Sequence, residues 1–448
     1  MLKRELSFVQ ATAINMIDMV GIGPFVTTAL VMATMGSVEG ALAAWALGMV
    51  IALIDASVWS ELGAKMPHAG GSYAFLRESY GPKGAGRLMA FLFVWQTSFQ
   101  APLVITSGAL GFAKYAAFVT GPMTPLTAKL LAASLVILLT GLLYRRIGDV
   151  GRISVVLWVC VILTMAWIIL SGVVASVSGV GVVAAESTFD VSDLSMAGLG
   201  AALIPTIYSY LGYYNVCHLG AEVKDPERVI PRSMYVSIIG IGILYMSMQW
   251  AVTSVLDVPT IAGSSFVVST FINHVWGDVA AHVVTILILV VAVSSLFSVM
   301  LGYTRVPYAA AKDGLFFAVF GREHPTKNFP HVSLLILGAV AVIFTLTLSL
   351  GDAIKSIIAM RVFTQFIAQA AGLIVLRRRV GAGSMPWRMW LYPIPVLLTI
   401  AAWLWLFASA DSTKQLVGVI APIVGAIVYL VLARFRAEWP FVTSENRA

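Results

Sequence analysis

Residues 11–36 read ATAINMIDMVGIGPFVTTALVMATMG. The stretch is apolar enough for one buried helix, yet Gly21-Ile22-Gly23-Pro24 interrupts it, with Asp18 just upstream. Glycine loosens a helix, and proline offers no amide and clashes with the turn before it. The stretch therefore reads as two half-helices joined by a short break. Inside hydrocarbon such a break survives only where its bare backbone groups face protein or a water-lined cavity.

The rest of the chain points to hydrocarbon as the solvent. Of 448 residues, 59% are hydrophobic and 11% charged, against roughly 25% charged in a soluble domain. A helix needs about 20 apolar residues to cross roughly 30 Å of lipid core, and twelve such runs can be placed. They lie near 7–34, 40–63, 85–113, 126–144, 152–177, 196–220, 233–256, 276–311, 332–350, 352–376, 388–409 and 415–434.

Lys and Arg collect in the cytoplasmic loops of membrane proteins. With both termini cytoplasmic, Lys114, Lys129, Lys355 and Lys414 fall outside and Arg361 falls within the tenth span, which leaves 23 of the 28 basic residues inside. The net charge of +7 then belongs to loops facing anionic lipid. No basic cluster is joined to an aromatic platform, so a nucleic-acid partner is not expected. A multi-pass protein of the cell membrane is. The opening MLKRE and its apolar run imitate a secretory signal, but the run is too long, contains Asp18 and lacks a small-residue cleavage site. Cys160 and Cys217 both fall inside spans, which argues against a disulfide framework and gives no support to a metal pair.

The sixth span carries a second interruption, YSYLGYY at 208–214, with Pro205 just upstream. A unit of five spans copied in tandem must re-enter the membrane from the opposite side, and paired broken helices in two inverted halves point to a transporter's binding site. The expected fold is all-α and integral to the membrane, with about twelve spans, a five-plus-five inverted repeat and discontinuous helices 1 and 6. It forms one membrane domain over 1–448, with repeats at about 7–177 and 196–379 and two appended helices at about 386–435.

Four motifs occur in order on this plan: GIGPF from Gly21, ELGAKMPHAGGSY from Glu61, YLGYYNVCHLGAEVKDPERVIPRS from Tyr210, and RVPYAAAKDGLF from Arg305. With them the chain resembles the amino acid, polyamine and organocation transporter superfamily over most of its length. The resemblance implies a solute site at mid-membrane between helices 1, 3, 6 and 8.

Opening helix 1 at Gly21 to Pro24 bares amides around Gly21, Ile22, Gly23 and Phe25. A helix N-terminus carries partial positive charge and suits a carboxylate; each charge-assisted hydrogen bond contributes about 1.5 to 3 kcal/mol. The plainer alternative is a packing kink of small residues at a helix crossing. Opposite, carbonyls near Tyr208, Leu211 and Gly212 end the outer half of helix 6 and would face a cationic amine. The resemblance implies an aromatic gate at Tyr208, and Tyr213 is a second gating candidate. Gln96 and Gln100, four apart, share one face of helix 3; the resemblance places them beside the substrate side chain, whereas interhelical hydrogen bonding would also account for them. Pro24 stands where the family usually offers an amide, which removes one carboxylate contact.

An acid at mid-membrane costs about 2.5 to 3.5 kcal/mol on insertion scales, so Asp18 should face water or a partner. It is either a proton carrier or half of a fixed ion pair, with Arg361 as the candidate partner. Asp55 poses the same question, and Glu61 resembles the family's acid that braces the cytoplasmic side. Proton-coupled relatives often carry a lysine in helix 5, at the position of Val161 here, and this span has none. Coupling then falls to Asp18, to a sodium site using Ser294 and Ser295 with carbonyls near Ile17 and Val20, or to exchange without an ion. No other cofactor, no resident metal and no obligatory protein partner are expected; the partners are an amino acid and the bilayer.

The function expected is secondary active transport or exchange of amino acids, of neutral side chain, by alternating access. Another small amine or a nucleobase is the alternative solute, because fold does not fix function. A membrane enzyme would need a polar catalytic cluster, and no HExxH, GxSxG or phosphate loop occurs. If Asp18 carries the proton, uptake by Asp18→Asn in vesicles should lose its dependence on pH; an unchanged pH profile removes Asp18 from that role.

Overall fold

The computed structural model describes residues 4, 6–68, 70–144, 150–179, 196–326 and 329–441. The loop between the fourth and fifth expected spans lies largely outside these residues, as does the segment between the fifth and sixth beyond residue 179. The helices are α1 (Phe8–Met19), α2 (Gly23–Met35), α3 (Val38–Lys65), α4 (Ser72–Ser79), α5 (Ala85–Thr120), α6 (Pro125–Leu143), α7 (Val150–Ser178), α8 (Met196–Tyr210), α9 (Asn215–His218) and α10 (Pro226–Thr253). There follow α11 (Val258–Gly263), α12 (Val267–Trp276), α13 (Asp278–Tyr303), α14 (Arg305–Lys312), α15 (His331–Thr347), α16 (Leu350–Arg361), α17 (Ala368–Val380), α18 (Ile394–Ala408) and α19 (Ser412–Phe435).

Local chemistry sets many of the helix starts. Ser7 and Gln10 form a reciprocal capping box on α1, and Ser37, Thr124 and Ser349 each accept an amide at the start of α3, α6 and α16, which satisfies donors that the helix itself leaves bare. Pro24, Pro125 and Pro226 sit in the first turn of α2, α6 and α10, where a missing amide breaks no helical bond.

Eight helical stretches among the described residues are long and apolar enough to cross a membrane: α3, α5, α6, α7, α10, α13 with α14, α16 with α17, and α19. The α1–α2 pair makes a ninth, bent by 50° at its break. The shorter apolar α15 and α18 and the broken α8–α9 complete the twelve expected.

Several boundaries differ from the sequence expectation. α5 runs on to Thr120 and not to 113, because nothing breaks it before Gly121, whose φ is 89°. α10 begins at Pro226 and not at 233, since the proline seats its first turn. α18 begins at Ile394 and not at 388, behind Leu391, which holds φ at 57°. The tenth span is not one regular helix: a π turn over Val362–Ile367 separates α16 from α17, and no local residue pattern announces it.

The two halves pack counterpart on counterpart. α2 lies on α8 and α1 on α9, α3 lies on α10, α5 on α13, and α6 on α15; these contacts pair spans 1 with 6, 2 with 7, 3 with 8 and 4 with 9. The start of the first span is also tied to the end of the sixth. The Leu6 amide donates to the Glu222 carbonyl at 2.9 Å and the Lys224 amide to the Leu6 carbonyl at 2.9 Å.

On the face that carries the chain's basic loops, Glu61 at the end of α3 is fully buried. It accepts from Arg377 Nη2 at 2.6 Å and from the Met389 amide at 3.0 Å, and the Arg377 guanidinium lies 3.8 Å from the Tyr392 ring centroid. On the same face Tyr73 of α4 donates to Asp313 at 2.8 Å; burial, and then that carboxylate, push its phenol pKa up. Cys160 and Cys217 are both free thiols. Removing one charge from a buried pair costs about 3 to 5 kcal/mol. Glu61→Gln should therefore melt well below the parent in detergent, and an unchanged melting temperature would show that Arg377 finds another acceptor.

Candidate functional site

The break in the first span covers residues 20–22, between the end of α1 and the start of α2. Pro24 therefore lies inside the first turn of α2 and not in the break itself. Val26 returns its amide to the Ile22 carbonyl at 3.4 Å, while the amides of Gly21, Ile22, Gly23 and Phe25 form no hydrogen bond among the described residues. They gather at the positive end of α2.

The second break runs from Leu211 to Tyr214, between α8 and α9. The Leu211 amide turns back to the carbonyls of Ile207 at 3.1 Å and Tyr208 at 3.3 Å. The Tyr208 carbonyl is thus occupied, contrary to expectation, whereas those of Tyr210 and Leu211 accept nothing among the described residues. Gly212 holds φ at 122°, a conformation that favours glycine, and a Cβ there would lie 2.8 Å from the Asp18 carbonyl carbon and 3.0 Å from Asp18 Cβ. Glycine at 212 is what lets one break rest directly on the other.

Side chains from several helices hold this contact. The Tyr245 phenol of α10 shares its proton between the carbonyls of Met19 at 2.7 Å and Ser209 at 3.1 Å, so one hydroxyl serves the ends of both α1 and α8. Asn15 accepts the Val216 amide at 2.9 Å, and the hydroxyls of Thr27 and Ser209 pair at 2.8 Å. Tyr115 of α5 donates to the Phe25 carbonyl at 2.7 Å. None of these four struts was expected from the sequence. A tyrosine in an apolar span does signal that its hydroxyl needs an acceptor, but it does not say which.

Tyr208 is half-buried and its hydroxyl meets Ser107 of α5 at 2.8 Å. Its ring covers the first break: a Cβ on Gly23 would stand 3.2 Å from Tyr208 Cε1. Tyr213, the other gating candidate, is instead a fixed strut. It is buried and donates to Asp55, whose second oxygen accepts from Trp403 Nε1 at 3.1 Å. That double engagement locks the ring, and it also accounts for Asp55.

Asp18 is half-buried beside the breaks, and its carboxylate forms no hydrogen bond or ion pair among the described residues. The expected pair with Arg361 is absent: the Arg361 guanidinium donates to Tyr214 and, at 2.6 Å, to Tyr303. Geometry separates the two serines. Ser295 Oγ would lie 2.8 Å from a Cβ on Gly21, so it stands at the first break, whereas the Ser294 hydroxyl is committed to the Val290 carbonyl of its own helix at 2.7 Å. Gln100 donates to the Tyr303 phenol at 3.3 Å. Gln96 is only 2% exposed, and both ends of its amide lack a partner.

Two opened spans thus rest on each other in the interior of a bundle of membrane-length helices, and each leaves backbone amides and carbonyls without a partner among the described residues. The chain belongs to the amino acid permease family, which it matches over residues 6–432; it is a transporter and not an enzyme. It is 24% identical to the serine/threonine exchanger SteT of Bacillus subtilis (strain 168) over 447 residues, 98% of each chain. It is 23% identical to the methylthioribose transporter of the same organism, over 97% of this chain and 94% of that one. The cystine/glutamate transporter of Homo sapiens is 24% identical over 99% of this chain and 89% of its own length.

A side chain on Gly23 would push against Tyr208 and close the bared amides. Gly23→Leu should abolish uptake while leaving membrane insertion and detergent stability near the parent's; full transport by that variant would remove these amides from the site.

Proposed function

We propose that the protein is a secondary transporter or exchanger of amino acids, working by alternating access in the cell membrane with both termini in the cytoplasm. The observation that carries this reading is the contact of two opened spans, one break adjoining the N-terminal end of α2 and the other the C-terminal end of α8. The amides of Gly21, Ile22, Gly23 and Phe25 suit the α-carboxylate, and the open carbonyls of Tyr210 and Leu211 suit the α-ammonium, so the pair is complementary to the zwitterion that every amino acid shares.

The side chain would run along an apolar wall in which Tyr208 and Leu211 pack with Leu103, Ile357 and Met360. This wall supports the neutral side chains expected from the sequence, and the serine/threonine exchange named for one relative agrees with it. One specific observation, the buried Arg361, favours a second side-chain class and is developed below. The methylthioribose relative keeps a non-amino-acid solute as the alternative. Tyr208, lying over Gly23, is the natural outer gate. Asp18 and Ser295, both at the contact of the breaks, are the coupling groups if an ion is used.

Purified protein in liposomes preloaded with single amino acids should accumulate a labelled amino acid by counterflow. Imposed proton or sodium gradients then separate coupled transport from exchange. Failure of every amino acid to move, with methylthioribose moving instead, would overturn the reading.

A further inference from the structure

We infer that Arg361 receives a second carboxylate on the substrate, which makes acidic amino acids a substrate class of this transporter. The inference rests on the amino acid reading above and names the side chain that the site would take.

Arg361 closes α16 at the point where the π turn begins, and it is 2% exposed. Its guanidinium keeps its charge under all ordinary conditions and presents five donors in a planar fork. Two phenol oxygens, those of Tyr214 and Tyr303, accept from its Nη atoms, and its Nε has no partner. Phenols satisfy donors but do not neutralise a cation. No carboxylate lies within 4 Å of it among the described residues: Asp55 is held by Tyr213 and Trp403, Glu61 by Arg377 and the Met389 amide, and Asp18 forms no ion pair. Buried charges are normally paired or aimed at a ligand.

The location ties this cation to the solute site. Tyr214 ends the second break, two residues beyond the glycine that rests on Asp18. Met360, adjacent to Arg361, packs with Leu103, Tyr208 and Leu211 in the apolar wall. Gln100 shares the Tyr303 phenol with Arg361, and Gln96, one turn away on the same face of α5, holds a buried amide with neither end partnered. An α-carboxylate on the α2 amides would leave a side-chain carboxylate for the guanidinium, whose fork matches a carboxylate in two parallel hydrogen bonds. A π turn inserted in a helix is a frequent mark of a functional position, and here it directly follows Arg361.

The test compares glutamate and aspartate with glutamine, asparagine and serine as competitors of counterflow and as stabilisers against heat, in parent, Arg361→Gln and Arg361→Lys proteins. In the parent, an acid should compete better than its amide by about tenfold or more, the worth of one charged hydrogen bond. Arg361→Gln should lose about 10- to 100-fold for the acids and leave amides and serine near parent values, with Arg361→Lys between, since a point charge lacks the fork. A parent that carries amides and serine but not acids overturns the inference and leaves the amino acid reading intact. Equal loss of acids and neutral solutes in a folded Arg361→Gln protein also overturns it, and the Asp18→Asn/Arg361→Gln double variant then reports whether Arg361 serves as a closing partner of Asp18. Movement of no amino acid of any class sinks the amino acid reading itself.

Discussion

In hydrocarbon a bare peptide group has no water to turn to, so every interruption of a spanning helix must be answered by something inside the bundle. This chain interrupts two helices and sets the interruptions against each other. Gly212 rests on the backbone of Asp18, and Tyr245 serves the carbonyl ends of α1 and α8 with one hydroxyl. The surrounding polar contacts, from Asn15, Thr27, Ser209 and Tyr115, satisfy groups around the breaks. The groups left without a partner among the described residues include the amides at the start of α2 and the carbonyls of Tyr210 and Leu211.

The same logic separates the buried charged and polar groups into two kinds. Glu61 and Arg377 neutralise each other, and Asp55 is held by two donors; these brace the fold. Asp18 and Arg361, both beside the second break, and Gln96 on α5 are incompletely satisfied. A membrane interior penalises each such group.

Much of the fold was legible in the residues. Twelve spans follow from hydropathy alone, because the length needed to cross lipid is fixed by the rise of a helix. The break at Gly21–Gly23 is written in local glycine and proline chemistry, and Gly212 marks the second. Boundaries were less legible where a helix simply continues for want of a breaker, as α5 does to Thr120, or where proline starts it early, as in α10. The π turn of the tenth span had no local sign at all, since it answers to packing against neighbours.

The candidate site was legible as to residue type and not as to partner. The sequence by itself determined that Asp18, Arg361 and the two glutamines lie inside the membrane and that helices 1 and 6 open. Only tertiary structure decided that Asp18 and Arg361 do not pair, that Tyr213 is a strut while Tyr208 covers the break, and that Ser295 but not Ser294 reaches it. The physical reason is the difference in range between the two kinds of information. Backbone breaks are set by steric effects within a turn, whereas hydrogen bonds and ion pairs in a bundle join residues on different helices, far apart in the chain, whose rotation about each helix axis is fixed by the packing of all the others.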